Sequence, residues 1–313
     1  MVSSAAKAES SLVAYLEERP LPLVALVGCT DLHAALTSRQ PAADEVHPRY
    51  LSLPEDTARL DHRSTGEDNS SLVLKRDWLY KHTHVAAPVV ALWFEWDSET
   101  TPIPAILTRL ESFRSRVRPS CKIVLVLVQR AGGAGGTGGP LASPVKDDER
   151  LTGMRKAAEL DSRSVLTLVR LGSEDGATHF DEGSVKRLER ALLEFALSYY
   201  KDESRGNKKA RQQVTSRATA AQLLGRHHFK QAYYSEVRRD AASASKHWGS
   251  CYVALRELLR FVVSPPSEMD RSLVSLSEIK RVAEFVNRKL CLAAFGALRV
   301  AEACEVCARE PRD

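Results

Sequence analysis

The sequence predicts an α/β N-terminal domain with a mainly parallel sheet, followed by an all-α solenoid of TPR-like helical hairpins. Three observations carry this. Up to about residue 183, four short apolar runs rich in branched residues alternate with stretches of helical period. From Ser184 onward only the helical period remains. The composition, 43% apolar and 27% charged over 313 residues, supplies enough core for two domains.

The first run, Leu23–Val27, sits in "LPLVALVGC". It follows the acidic "LEERP" and stops at Thr30 and Asp31, so it lacks both the cationic flank of a signal peptide and the length of a membrane span. It reads as a buried strand. Val89–Trp96, Lys122–Val128 and Val165–Val169 are of strand length and almost continuously apolar, as parallel strands covered on both faces are. Between them, 102–117 places Ile106, Leu110, Phe113 and Val117 at helical spacing, and 148–161 gathers Met154, Ala157, Ala158 and Leu160. The polar, turn-rich 38–70 and the glycine-rich 131–147 read as flexible insertions that the fold does not need. The α/β domain is therefore drawn as 1–183, with insertions at 38–70 and 131–147.

In the second half, "VKRLERALLEFALSYY" sets Leu188, Leu192, Phe195 and Tyr199 on one stripe. Helices are expected to follow at 216–239, 241–263, 273–296 and 297–309, divided by the charged segment 201–211, by Asp240 and by "SPPSEMD" at 264–270. Within 216–239, Leu223, His227, Tyr234 and Val237 share one arc, while Ala221, Gly225 and Ala232 gather opposite. Such a helix is pressed by neighbours from two directions, as in stacked hairpins. The next helix adds Ala241, Ala244 and Trp248 early, then Tyr252, Leu255 and Leu259. Residues 184–313 are drawn as the α-solenoid, although no second copy recurs at a fixed period.

Motifs that would carry chemistry fail on detail. "AGGAGGTGG" follows a strand, but Pro140, Leu141 and Ala142 stand where a phosphate loop needs its Lys-Ser or Lys-Thr pair and an immediate helix. His227 and His228 are adjacent and point about 100° apart on a helix, so they read as a core histidine and a flanking one rather than two ligands of one metal. His82 and His84, if extended, face the same way, yet no third ligand accompanies them. Cys304 and Cys307 make a lone C-x-x-C on an expected helix, better explained by packing. Glu95, Asp97 and Glu99 read as a solvated strand exit, and "EGSVK" lacks the second glycine of a nucleophile elbow. No catalytic, cofactor or metal residue is assigned. The six cysteines lie mostly in apolar runs, which suits reduced thiols and a cytosolic address.

Between Lys201 and Asp240, ten Lys or Arg face four acids, although the whole chain carries only +5. This basic segment could meet anionic lipid, nucleic acid or an acidic protein surface, or be a solvated face with a mobile linker. Arg226 and Lys230 are expected to form a cationic edge beside Tyr233.

The segments together resemble the foie gras family. The strongest piece is "QLLGRHHFKQAYYSEVRRDAASASKHWGSCYVALREL" (222–258). In the same order come "PLVALVGCTDLHAAL" (22–36), "LKRDWLYKHTHVAAPVVALWFEWD" (74–97), "RLESFRSRVRPSCKIVLVLVQR" (109–130), "RLERALLEFALSYY" (187–200) and "SLSEIKRVAEFVNRKLC" (275–291). The resemblance implies a non-enzymatic scaffold subunit of a TRAPP-type (trafficking protein particle) tethering and Rab guanine-nucleotide-exchange assembly in ER–Golgi transport. It further implies other TRAPP subunits, the small core ones among them, as partners, a Rab GTPase indirectly, and a cytoplasmic place at Golgi and ER–Golgi membranes reached through the complex. No nucleic acid is expected. Family members run much longer, through further helical and β-sandwich modules, whose membrane functions are not carried over. Arg226, Phe229, Lys230, Tyr233 and Trp248 are the residues expected to meet a partner, since aromatics with arginine commonly anchor such contacts.

Overall fold

The computed structural model describes residues 15–16, 19–28, 30–37, 46–54, 72–75, 78–96, 101–130, 149–171, 179–212, 217–264 and 274–296. They fall into two compact units. One lies within Leu21–His62 and His84–Tyr199, and the other within Met1–Pro20, Arg63–Thr83 and Tyr200–Asp313.

The first unit is built on a six-stranded sheet: β1 (Leu23–Val27), β2 (Arg49–Leu53), β3 (Val89–Glu95), β4 (Lys122–Arg130), β5 (Val165–Leu171) and β6 (His179–Phe180), in the order β2-β1-β3-β4-β5-β6. β1 to β5 pair in parallel, and β6 is antiparallel to β5. Its helices are α1 (Thr30–Thr37), α2 (Ile103–Arg114), α3 (Glu149–Ala157) and the first half of α4 (Glu182–Gln212).

The central strands β1, β3 and β4 are almost continuously apolar because each face packs a different core. Leu23, Ala25, Val27, Leu92, Phe94 and Leu125 meet Ile106, Leu110 and Phe113 of α2 and Leu151 and Met154 of α3. The alternate residues Val24, Leu26, Trp93, Val126 and Leu168 meet Leu32 and Leu36 of α1 and Leu188 and Leu192 of α4. The three layers expected from the sequence are present. Gly28, at the end of β1, takes φ 81°, a left-handed conformation that favours glycine.

The expected insertion 38–70 needs a correction, because Arg49–Leu53 within it is a strand in parallel register with β1. As the outer strand of the sheet it is half exposed, so it required no continuous apolar run and left no strong trace in the sequence. β6 is two residues long, too short to register as a pattern. The glycine-rich 131–147, Cys29, Asp97, Glu99 and the expected helix 297–309 with Cys304 and Cys307 lie outside the described residues.

The second unit contains the rest of α4 from Tyr200, then α5 (Arg217–Val237), α6 (Ala241–Val263) and α7 (Leu276–Gly296). Residues 201–211 were expected to divide helices; instead α4 continues without a break to Gln212. α5 and α6 form a hairpin. Arg239 takes φ 59° at the turn, and the Asp240 carboxylate accepts from Ser243 N at 3.0 Å to cap α6. Ser275 caps α7, its hydroxyl accepting from Glu278 N at 3.2 Å. Among the described cysteines Cys121, Cys251 and Cys291 are free thiols. Burial pushes Cys121 up to about 11.

Candidate interaction site

The expected contact residues lie on α5 and α6, and the structure buries their aromatic rings. Phe229, Tyr233 and Trp248 are essentially inaccessible, at 0%, 0% and 1% exposure. They pack with Phe285 of α7: the Phe229–Trp248 centroids are 5.0 Å apart, edge to face, and Phe229–Phe285 are 5.6 Å apart. As a surface anchor for another protein these three are corrected to core residues. α5 carries apolar or small side chains on almost every arc, so neighbours cover it nearly all round.

Part of that cover comes from far away in the sequence. Leu72–Lys75 and the helical turn Trp78–Tyr80, which continues as a π-type turn through Lys81–Val85, provide a strap as far as Thr83. Side chains of α5 and α7 grip its backbone. Arg226 donates Nη2 to Leu72 O at 2.6 Å and Nε to Val73 O at 3.0 Å; Gln222 Nε2 donates to Leu72 O at 2.8 Å; Val73 N donates to Glu278 Oε1 at 2.9 Å. Beyond these bonds Trp78 enters the aromatic cluster, 5.3 Å from Tyr233 and 6.2 Å from Phe229. Lys230 stands 5.5 Å over the Trp78 ring, a cation–π arrangement. Burial, with the Arg226 and Lys75 cations nearby, pushes Lys230 down to about 8. The cationic edge expected at Arg226 and Lys230 is thus occupied by the chain itself.

His82 belongs to this strap. The ring is buried, 4.5 Å from Trp78, and its carbonyl accepts from the Tyr233 hydroxyl at 3.1 Å. The extended arrangement considered for His82 and His84 does not form, because the chain turns helically there. Among the described residues no group of three or more His, Cys, Asp or Glu could hold a metal.

A second distant residue completes the cluster. Tyr15 lies between Tyr233 (5.6 Å) and Phe285 (5.4 Å). Its hydroxyl donates to Glu236 Oε2 at 2.8 Å, Trp248 Nε1 donates to Glu236 Oε1 at 2.7 Å, and Lys289 Nζ donates to Glu236 Oε2 at 3.3 Å and to Tyr15 O at 2.8 Å. One carboxylate therefore satisfies a phenol, an indole and an ammonium in a site where an unmatched charge would be costly. Burial, reinforced by the Glu236 charge, raises the Tyr15 hydroxyl well above its usual range.

The third feature is a polar seam from α4 across α5 to α6. Ser204 Oγ donates to Gln231 Oε1 at 2.7 Å, and Gln231 Nε2 returns a bond to Ser204 O at 2.5 Å. Asn207 Nδ2 donates to His227 O at 2.8 Å, and its carbonyl oxygen takes the His227 Nδ1 proton at 2.6 Å. Arg211, which can only donate, points Nη1 at His228 Nε2 (3.4 Å), so the His228 proton sits on Nδ1 and is offered to His247 Nδ1 at 3.1 Å. The chain Arg211→His228→His247 requires both rings to be neutral. Burial and the Arg211 cation push His228 down to about 4, and the same causes lower His247.

Tyr15, the Leu72–Lys75 grip and Glu236 were not singled out from the sequence. "WLYKHTH" did stand in a quoted segment, and Trp78 with His82 at i, i+4 was the available signal. At the carboxyl edge of the sheet, Glu95 pairs with Arg170 at 2.6 Å.

No family model matches the chain. Over 230 residues, 71% of the chain, it is 28% identical to trafficking protein particle complex subunit 11 of Bos taurus and to that of Homo sapiens, and the Gallus gallus protein matches to the same extent. The matched stretch spans 18% of the length of these relatives. Over this shared stretch the chain is similar to part of trafficking protein particle complex subunit 11 in all three species.

Proposed function

We propose that the chain is a non-enzymatic scaffold subunit of a TRAPP-type assembly in vesicle trafficking, with other TRAPP subunits as direct partners and a Rab GTPase as the indirect target at ER–Golgi membranes. The single observation that carries this reading is the similarity over 230 residues to subunit 11 of that complex in three species. The fold is compatible with it. Helices α5 to α7 are locked by a dense aromatic cluster, which gives a rigid body to display surfaces, and stacked helical hairpins do this generally. Because the α5 face holds the chain's own strap, contacts with other subunits use other surfaces of the helical unit and of the sheet unit. No helix among the described residues is long and apolar enough to cross a membrane.

Affinity purification of the tagged full chain from its native organism, with the recovered proteins identified by mass spectrometry, tests this. Stoichiometric recovery of small TRAPP core subunits is expected. Their absence, while the bait itself is soluble and monodisperse, overturns the proposal.

A further inference from the structure

The last three turns of α4, "KDESRGNKKARQ", bury no large apolar side chain, yet they remain helical and fixed. Their inner side is the polar seam: Ser204, Asn207 and Arg211 recur at i, i+3 and i+7 and bond to Gln231, His227 and His228. Glu203 is also drawn inward, accepting from the Tyr234 hydroxyl at 3.5 Å. With the inner side fixed, Lys201, Arg205, Lys208 and Lys209 project from the neighbouring arc, and all four are exposed. Asp202 is the acid left among them, paired with Arg205 at 3.2 Å in a solvent-exposed bridge that is easily exchanged.

We infer that the outer arc of α4 from Lys201 to Lys209 is a docking surface for an anionic lipid bilayer. Three features select lipid over other acidic partners. The stretch exposes no aromatic or large apolar side chain, so it lacks the anchor that a protein interface places at its centre. It has no ring on which bases could stack. Three of the four cations are lysines, compact point charges that suit mobile headgroups better than the fixed bidentate geometry arginine serves. The inference stands on this helix arc alone and does not depend on membership in a TRAPP assembly.

The test is co-sedimentation of the purified full chain with phosphatidylcholine vesicles, with and without about 30 mol % phosphatidylserine. Partition onto the anionic vesicles alone is expected, falling steeply between about 0.1 and 0.5 M salt. Each lysine removed should lower the partition coefficient about fivefold, so Lys201→Gln, Lys208→Gln and Lys209→Gln together lower it about a hundredfold. The single variant Lys208→Gln, which leaves the seam untouched, keeps the test decisive should the triple variant be unstable. The inference is overturned by absence of partition, by partition that these variants leave unchanged, by an equal loss on the distant control Lys280→Gln, or by tighter binding to duplex DNA at the same salt.

Discussion

Glu236 accepts from Tyr15, Trp248 and Lys289 at once, and Lys289 is 8% exposed, so removing the carboxylate strands a buried ammonium. Glu236→Ala is expected to cost about 3–5 kcal/mol of unfolding free energy, and Tyr15→Phe, which removes one hydrogen bond, about 1–2 kcal/mol. Urea midpoints read both. A Glu236→Ala loss below about 1 kcal/mol would show that the carboxylate is not the hub. The histidine chain gives a pH expectation. The fold holds His228 at about 4 and His247 below the usual histidine value, so between there and about pH 6.5 the unfolded chain binds more protons. The stability these rings contribute is fully present above about pH 6.5 and is lost as pH falls toward 4. The thermal midpoint should drop across that window, with a shallower drop in His228→Gln; identical slopes would remove the assignment. At this scale the sequence marked the right residue types in the wrong environment. Phe229, Tyr233 and Trp248 looked like anchors because anchors and core rings share one composition, and only the partners 150 or more positions away, such as Tyr233 with His82, distinguish them.

Among the elements, α4 shows where periodicity ends as a guide. Its first half was legible because Leu188, Leu192 and Tyr199 repeat an apolar stripe; its second half was read as a linker because serine, asparagine and arginine occupy the inner positions. Hydrogen-bonded seams leave no hydrophobic signature. Gly206 lies in this stretch, and a Cβ there would meet nothing within 4 Å. Gly206→Ala should therefore stabilise the helix by about 0.5–1 kcal/mol, and a loss of stability on denaturation would contradict an uninterrupted helix. The strap is an element of another kind, held by its backbone. Arg226→Ala leaves the Leu72 and Val73 carbonyls short of donors, and faster amide exchange across 72–82 is expected with α6 unaffected. β2 went unseen for a related reason: an edge strand is exempt from the pattern that identified β1, β3 and β4.

For the molecule as a whole, the sequence separated sheet from helices correctly but could not show that the helical unit is discontinuous. Its described residues lie within Met1–Pro20, Arg63–Thr83 and Tyr200–Asp313. Linear reading draws a boundary at a point, whereas this unit is closed by side chains that arrive from two earlier passages of the chain. A fragment comprising 184–313 lacks Tyr15 and Trp78, two rings of its own core, and should retain helical circular dichroism while losing a cooperative melt. A sharp transition from that fragment would show the strap to be dispensable.

The distance between those passages has a consequence during synthesis. Lys289 closes on Tyr15 across 274 residues of chain, which at ribosomal speeds of about 5–20 residues per second is a delay of roughly 14 to 55 seconds. For most of that interval Tyr15, and after it Trp78, precede the rings they pack against, Phe229 and Tyr233 of α5 among them, while the strands between and after them can already pair. The nascent chain therefore offers aromatic segments to chaperones early, and its final closure waits on the translation of α7.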